Sequence, residues 1–347
     1  MCMILNKRKI CAGKPVYIIA EMSANHNQHL DRAIKIIEAA KDSGADAVKI
    51  QTYTPDTMTI DSANECFQIK GTIWEGENLY KLYQEAFTPW EWSPKLKEVC
   101  DKLGMDFFST PFDLSAVDFL ERLNITAYKV ASFELVDIPL LKKIAATGKP
   151  IIMSTGMATL AEIDEAVQTI YNSGNNQLAL LKCTSAYPAP PEEMNLRTIP
   201  HLSEAYNIPV GLSDHTLGSA AAMAAVALGA CIIEKHLTLT RSDPGPDSAF
   251  STEPAEFKAM VDDIRTVEKA LGMVCYELTE KQKENRVFRR SLFVVKDLKK
   301  GDYFSNENVR SIRPGHGMHT RYLEEILGRK ATKDIEKGTP LNWDMVG

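Results

Sequence analysis

No run of apolar residues in this chain approaches the ~20 needed to cross a bilayer, so no membrane partner is expected. There is no C-x-x-C pair, and the seven cysteines (Cys2, Cys11, Cys66, Cys100, Cys183, Cys231, Cys275) are scattered and odd in number. That usage argues against a zinc ribbon or a disulfide framework and suits a reducing compartment. No strand-like run is followed by a G-x-G-x-x-G turn, which weakens a dinucleotide-binding open sheet. Positive charge is not in excess: 40 Lys and Arg against 46 Asp and Glu leave a net charge of −6. No basic field advertises nucleic acid or an acidic membrane surface. The N-terminus lacks the apolar core of a secretion signal, because Asn6–Lys9 interrupts it. A cytoplasmic protein is expected.

What is present is ordinary for a soluble enzyme. The 347 residues are 44% hydrophobic and 25% charged, enough for one large domain and a smaller one. Strand-like runs are Val16–Ala20 and Ala45–Ile50, then runs ending at Ser109, Val130, Ser154, Thr184, Ser213 and Lys235. Helical periodicity marks Leu30–Ser43, Ser115–Leu123, Pro139–Thr147, Leu160–Ser173, Leu217–Leu228 and Pro254–Leu271. Thr216–Gly229 reads as a buried, Ala-rich crossover helix. Eight βα units over residues 1–280 predict an α/β fold of the (β/α)8 barrel type, in preference to a doubly wound sheet.

One long departure, Thr52–Trp92, separates the second and third strands. Such insertions sit over the catalytic mouth and set substrate choice. Most of its aromatics (Trp74, Tyr80, Tyr83, Phe87, Trp90, Trp92) are expected to pack the insertion onto the barrel. After Leu271 the pattern changes. Thr279–Arg290 is a charged connector, with a linker at 281–290, and 291–347 alternates in short strand-like pieces. DLKKG and DIEKG form a near-repeat within this β-rich module. At about 55 residues it is near the lower limit for an independent fold and should lean on another surface.

Strands in a parallel βαβ unit end on the same side. The runs ending at GLSDH and EKH therefore bring His215 and His236 to one face of one sheet. Two imidazoles there, each beside a carboxylate (Asp214, Glu234), favour a shared divalent metal over two structural histidines. Other polar residues at strand ends are Glu21, Lys49, Gln51, Thr110, Lys129, Ser132, Glu134, Ser154, Ser185, Tyr187, Ser213 and Asp247. Only the mouth of a barrel brings positions from nearly every strand together. Lys49 and Lys129 each close an apolar strand, and a buried ammonium needs a partner. A salt bridge to Glu21 or Glu134 would serve; so would a shared phosphate or carboxylate. A Schiff-base lysine ranks lower, since it would not need two histidines. In the small module, Arg313 reads as a surface residue beside a turn, and His316 and His319 as part of a solvated turn.

The motifs AEMSANHN, ADAVKIQT, FFSTPFD, YKVASFE, IIMSTGM, LLKCTSAYP, GLSDHT, EKHLT and GPD, with FRRSLFVVKDLKKG and RPGHG in the tail, cover almost the whole chain. By these it resembles the N-acetylneuraminate synthase family, which condenses phosphoenolpyruvate with an amino sugar. Gly71–Trp92 and AEMSANHN most resemble the branch that makes pseudaminic acid. The resemblance implies a TIM barrel followed by an antifreeze-like (SAF) domain at 291–347. It also implies a domain-swapped homodimer in which Arg313 enters the partner's site and contacts the sugar. By the same motifs Lys49, Thr110, Lys129, Ser132, Ser154 and Ser213 would hold phosphoenolpyruvate. His215 and His236 would ligate Mn²⁺ or Mg²⁺. Glu21, Tyr187 and Asp247 would contact the sugar or order the metal's waters, and Glu134 would be the acid–base group. The catalytic groups would be Glu134, Glu21 and Lys129. Ser185 departs from the family's C-T-N-x-Y-P, which implies a different sugar pose. The acceptor implied is 2,4-diacetamido-2,4,6-trideoxy-L-altrose. Alternatives are N-acetylmannosamine, the legionaminic precursor, or a metal-dependent pyruvate aldolase.

Overall fold

The computed structural model describes every residue except Met1 and Thr72, the latter within the aromatic insertion. The chain opens with an antiparallel hairpin, β1 (Met3–Leu5) and β2 (Arg8–Ile10), with Met3 opposite Ile10. Asn6 and Lys7 form its turn with φ of 45° and 69°, and two positive values give the twist that a two-residue hairpin needs. The hairpin is anchored at the N-terminal ends of the strands that follow. Arg8 pairs with Asp46, Asn6 donates to Asp106 at 2.8 Å, and Ile4 N donates to Gln177 at 2.9 Å. The flanking Cys2 and Cys11 are bonded to each other. This corrects the expectation of unpaired cysteines: the hairpin register sets these two face to face.

Eight parallel strands then form a closed barrel. They are β3 (Tyr17–Glu21), β4 (Ala47–Thr52), β5 (Asp106–Pro111), β6 (Tyr128–Val130), β7 (Ile151–Ser154), β8 (Leu178–Cys183), β9 (Val210–Asp214) and β10 (Ile232–His236). β10 closes on β3 with Ile232 beside Tyr17 and His236 beside Glu21. The open-sheet alternative is excluded by this closure.

Side chains alternate in and out along each strand. Tyr17, Ile19, Ala47, Phe108, Ala127, Ile152, Ala179, Leu181 and Ile232 share one inner cluster with Met3, Leu5 and Ile10 of the hairpin. Ile18, Val48, Ile50, Phe107, Val130, Met153, Leu212 and Ile233 face outward into the larger cluster beneath the helices. The period of two carries the inner face upward from apolar to polar. Above Ile19 comes Glu21, above Ala47 comes Lys49, above Phe108 comes Thr110, above Ala127 comes Lys129, and above Ile232 come Glu234 and His236.

The expected helices are present as Leu30–Asp42, Leu114–Leu123, Ile138–Ala146, Leu160–Asn172 and Pro254–Leu271. Asp113 caps one by accepting from Ser115 N at 2.7 Å and Ala116 N at 3.2 Å. Thr159 and Glu162 cap another reciprocally. The Ala-rich helix is shorter and less covered than expected. It spans Ala220–Ala227 and buries Ala222, Ala225 and Val226. Two further helices, Ser93–Leu103 and Thr198–Tyr206, complete the outer layer. Among the described residues, no helix is long and apolar enough to cross a membrane.

The chain divides into two compact units, Met1–Gly272 and Met273–Gly347, so the division falls earlier than residue 280. The connector is not plain coil: Thr279 and Gln282 cap a short helix, Glu280–Glu284. In the second unit β11 (Ser291–Val294) pairs antiparallel with β12 (Val309–Ile312). Its own core holds Leu292, Val294, Leu298, Phe304, Ile326 and Leu341. The module is less strand-rich than its pattern suggested, with isolated bridges supplementing one two-stranded sheet. The near-repeat pairs with itself. Leu298 and Ile335 exchange backbone hydrogen bonds at 2.8 and 2.9 Å. Asp334 accepts from Lys300 N at 2.9 Å, and Asp297 accepts from Lys337 N at 2.7 Å.

Candidate active site

The polar upper layer is held together by one carboxylate. Glu234 Oε1 lies 3.1 Å from Lys49 Nζ, 3.8 Å from Lys129 Nζ and 3.3 Å from Ser213 Oγ. Lys49 also pairs with Glu21 at 3.1 Å. Lys129 donates to Ser154 Oγ at 2.6 Å and to its neighbour's carbonyl, Val130 O, at 2.9 Å. The partner of Lys129 is thus Glu234 and not Glu134. All four charged groups are buried. They remain compatible with burial because each ion faces an opposite one.

This packing sets the proton affinities. Burial pulls Lys129 down to about 8, and the Lys49 charge adds to the effect against the opposing pull of Glu234. Burial also acts to lower Lys49, but Glu21 and Glu234 outweigh it and raise it. Burial raises Glu21, opposed by Lys49. Glu234 is held below the usual range, because Lys129 and Lys49 together outweigh its burial.

His215 and His236 meet on this layer with ring centroids 5.4 Å apart. His215 Nδ1 faces Thr184 O at 3.0 Å, so its Nε2 is free to ligate. His236 Nδ1 is buried without a hydrogen-bond partner. An orphaned buried nitrogen on His236 beside a His215 ring held by its other nitrogen is a donor pair whose chemistry fits a divalent cation. Among the described residues no third His, Cys, Asp or Glu completes a three-ligand set. The remaining positions would fall to solvent or substrate oxygens, as Mg²⁺ and Mn²⁺ tolerate. The loop carrying His215 is fixed from outside the barrel. Asp214 accepts from Thr216 N at 2.9 Å and pairs with Lys235 Nζ at 2.6 Å.

Ser132 and Ser185 converge above β7. Gly156 N donates to Ser132 Oγ at 3.1 Å. A Cβ on Gly156 would sit 2.7 Å from Ser132 Oγ and 2.2 Å from Ser185 Oγ. Glu134 hangs from a short turn after β6; burial lifts its carboxyl to about 7, and its Oε2 has no hydrogen-bond partner. Thr110 Oγ1 is likewise buried and unpartnered. Asp247 is tied to the loop after β3, accepting from Ser23 Oγ and, at 3.2 Å, from Ala24 N. Gln51 donates to Glu21 at 3.1 Å and to Ser23 at 3.0 Å, which joins this branch to the ion cluster. Tyr187 stacks 4.3 Å from His215.

Of the sequence-derived set, Arg313 alone stands in the second unit, exposed beyond the end of β12. His319 Nδ1 accepts from Arg321 N at 3.1 Å, as a solvated turn requires. Sequence reasoning left four participants unassigned: Glu234, Ser23, Gly156 and Cys183. Cys183 lies 3.9 Å from His215 Nδ1 and from Ser185 Oγ. Although burial opposes it, His215 brings this thiol down to about 6.

A (β/α)8 barrel that gathers buried ammonium groups and a pair of imidazoles at the C-terminal ends of its strands has the layout of an enzyme of the barrel class. The chain belongs to the NeuB family, which it matches over residues 36–276, and a SAF domain follows at 289–347. It is 50% identical over 328 residues to a pseudaminic acid synthase of Campylobacter jejuni, covering 94% of this chain and 96% of that one. It is 47% identical over 332 residues to a pseudaminic acid synthase of Helicobacter pylori, covering 95% and 98%. Among solved structures, the spore coat polysaccharide biosynthesis protein SpsE of Bacillus subtilis superposes with a TM-score of 0.68 at 36% identity, over 100% of this chain and 99% of that one.

Proposed function

We propose that this protein is a pseudaminic acid synthase. It would condense phosphoenolpyruvate with 2,4-diacetamido-2,4,6-trideoxy-L-altrose and water, releasing pseudaminate and phosphate. The observation that carries the reading is the pair of buried lysines sharing Glu234 beside the two histidines. Two cations answered by one shared carboxylate and a partly protonated Glu21 leave room for a bound dianion.

Phosphoenolpyruvate would lie against Lys49, Lys129, Thr110, Ser132, Ser154 and Ser213. Five of these donors stand on strands, and Ser132 is held in the turn after β6 by its bond from Gly156 N, so little reorganisation accompanies reaction. A divalent ion between His215 and His236 would supply Lewis-acid polarisation of the sugar's aldehyde oxygen. C3 of the enol attacks the aldehyde carbon, positive charge develops at C2, water adds there, and phosphate leaves with C–O cleavage. Glu134, with its carboxyl near neutrality, is the group suited to hold or release a proton beside C2 or the aldehyde oxygen.

The open end of the barrel is rimmed by exposed apolar residues: Phe133 (60%), Met157 (60%), Leu160 (56%) and Leu217 (62%). Such a rim suits cover by the SAF domain of a second copy, which would bring in Arg313.

The test is incubation with phosphoenolpyruvate and a panel of acetamido sugars, reading phosphate and product mass. Phosphate release with the altrose derivative, its loss on chelation and its absence in His236→Ala are the expected results. Pyruvate consumption without phosphate would sink the reading. Mixing inactive His236→Ala chains with Arg313→Ala chains should restore partial turnover, since one mixed site is then intact.

Gly156→Ala tests the anion cradle separately. Its Cβ would displace the Ser132 and Ser185 hydroxyls. The KM for phosphoenolpyruvate should rise at least about tenfold, the cost of one or two lost charge-assisted hydrogen bonds, with little change in melting temperature.

A further inference from the structure

The insertion's aromatics do not all serve its packing. Tyr80 donates to Asp56, Tyr83 packs on Tyr53 at 5.7 Å, Trp90 on Phe119 at 4.8 Å and Trp92 on His26 at 5.5 Å. Trp74 points elsewhere. Its neighbours Ile73, Glu75, Gly76 and Glu77 are exposed, whereas Trp74 is half-buried. Its indole Nε1 donates to Pro246 O at 3.0 Å, next to the tethered Asp247. Its ring lies 6.0 Å from Tyr187, which itself lies 4.3 Å from His215. Phe250 stands 5.0 Å from both Tyr187 and His236. A continuous aromatic wall therefore runs from the insertion to the histidine pair.

We propose that Trp74 is a specificity-determining residue of the acceptor-sugar end of the site, selecting a deoxy sugar over its hydroxylated counterpart. This rests on the function proposed above. The indole is a donor only, and its one N–H is already engaged by Pro246 O. The indole faces are apolar, so a methyl group placed against them gains burial, whereas a hydroxyl placed there gives up a hydrogen bond to water. A sugar with a methyl at C6 and acetamido methyls meets that surface; one with a C6 hydroxyl is penalised.

The experiment compares wild type, Trp74→Ala, Trp74→Phe and Trp74→Leu in steady-state kinetics. The acceptors are the 2,4-diacetamido-2,4,6-trideoxy hexose and the corresponding 6-hydroxy sugar, and melting curves are recorded alongside. In Trp74→Ala the KM for the deoxy sugar should rise about tenfold, and the preference in kcat/KM for it should fall by a similar factor. The KM for phosphoenolpyruvate should stay unchanged, and the melting temperature should fall by only about 2–4 °C, for the lost bond to Pro246 O. If the Ala variant melts early, the order Trp, Phe, Leu in declining preference decides. An unchanged preference across the variants, or an equal loss with both sugars, overturns the inference. Wild-type enzyme that turns over neither sugar overturns the proposed function and this inference with it. Wild-type turnover with a preference insensitive to Trp74 overturns this inference alone.

Discussion

Glu234→Gln should remove nearly all turnover and destabilise the barrel by ~1.5–3 kcal/mol, the usual cost of losing a hydrogen bond to a charged group. The oxygen concerned lies 3.1 Å from Lys49, 3.8 Å from Lys129 and 3.3 Å from Ser213. Lys49 keeps Glu21 when Glu234 is neutralised. Lys129 keeps only a hydroxyl and a carbonyl, so it should shed its proton at neutral pH. The two effects are separable. Urea unfolding followed by tryptophan fluorescence reads the stability loss, and turnover as a function of pH reads the charge loss. Residual activity should recover toward acid pH, where Lys129 regains its proton. A variant with wild-type urea midpoint and wild-type activity at pH 7.5 would show that the carboxylate is dispensable.

The second large effect is an alkaline limb in kcat/KM. Burial holds Lys129 down to about 8 in the free enzyme, and kcat/KM reports the free enzyme. The sign follows directly. Below about 8 the ammonium is charged and can meet the phosphate; above it the group is neutral and the affinity is lost. Activity should therefore fall tenfold per pH unit above that point. Lys129→Arg should move the limb upward, since guanidinium does not titrate in this range, at the cost of geometry and overall rate. Glu134→Gln should leave this limb in place and remove a separate ionisation near 7. A limb that stays put in Lys129→Arg assigns it to another group.

The barrel was legible because both of its periods are written in the chain. Runs such as Val16–Ala20 and PIIMS are too short for helices, and Leu30–Ser43 and Pro254–Leu271 repeat at helical spacing. Much of the site was legible for the same reason: a polar residue closing an apolar strand has few places to go. Glu234 was equally readable, because it stands two residues before His236 and so shares its face. In the sequence it reads as a carboxylate neighbouring His236, whereas in the fold it holds both lysines. The hairpin at the start escaped because three-residue strands carry no periodicity, although Asn6 in a two-residue turn was a signal. Ser93–Leu103 also had readable ends, with Pro94 in its first turn and Gly104 beyond its last. Gly156 and Trp74 were not readable. Each depends on which loop atom approaches which across hundreds of residues of sequence, and no local spacing encodes that. Arg313 is marked only by the tail motif RPGHG, since its proposed work is done against a different copy and its local setting reads as a surface turn.

The opening hairpin corks one end of the barrel, and the layer above the cork is packed apolar side chains. Reactants and products must therefore share a single doorway. A ligand seated on Lys129 and Ser154 lies at the level of the strands, and one seated on Tyr187 and Trp74 lies at the level of the loops. The deeper guest has to arrive before the shallower one blocks its passage, and traffic outward has to run in the reverse order.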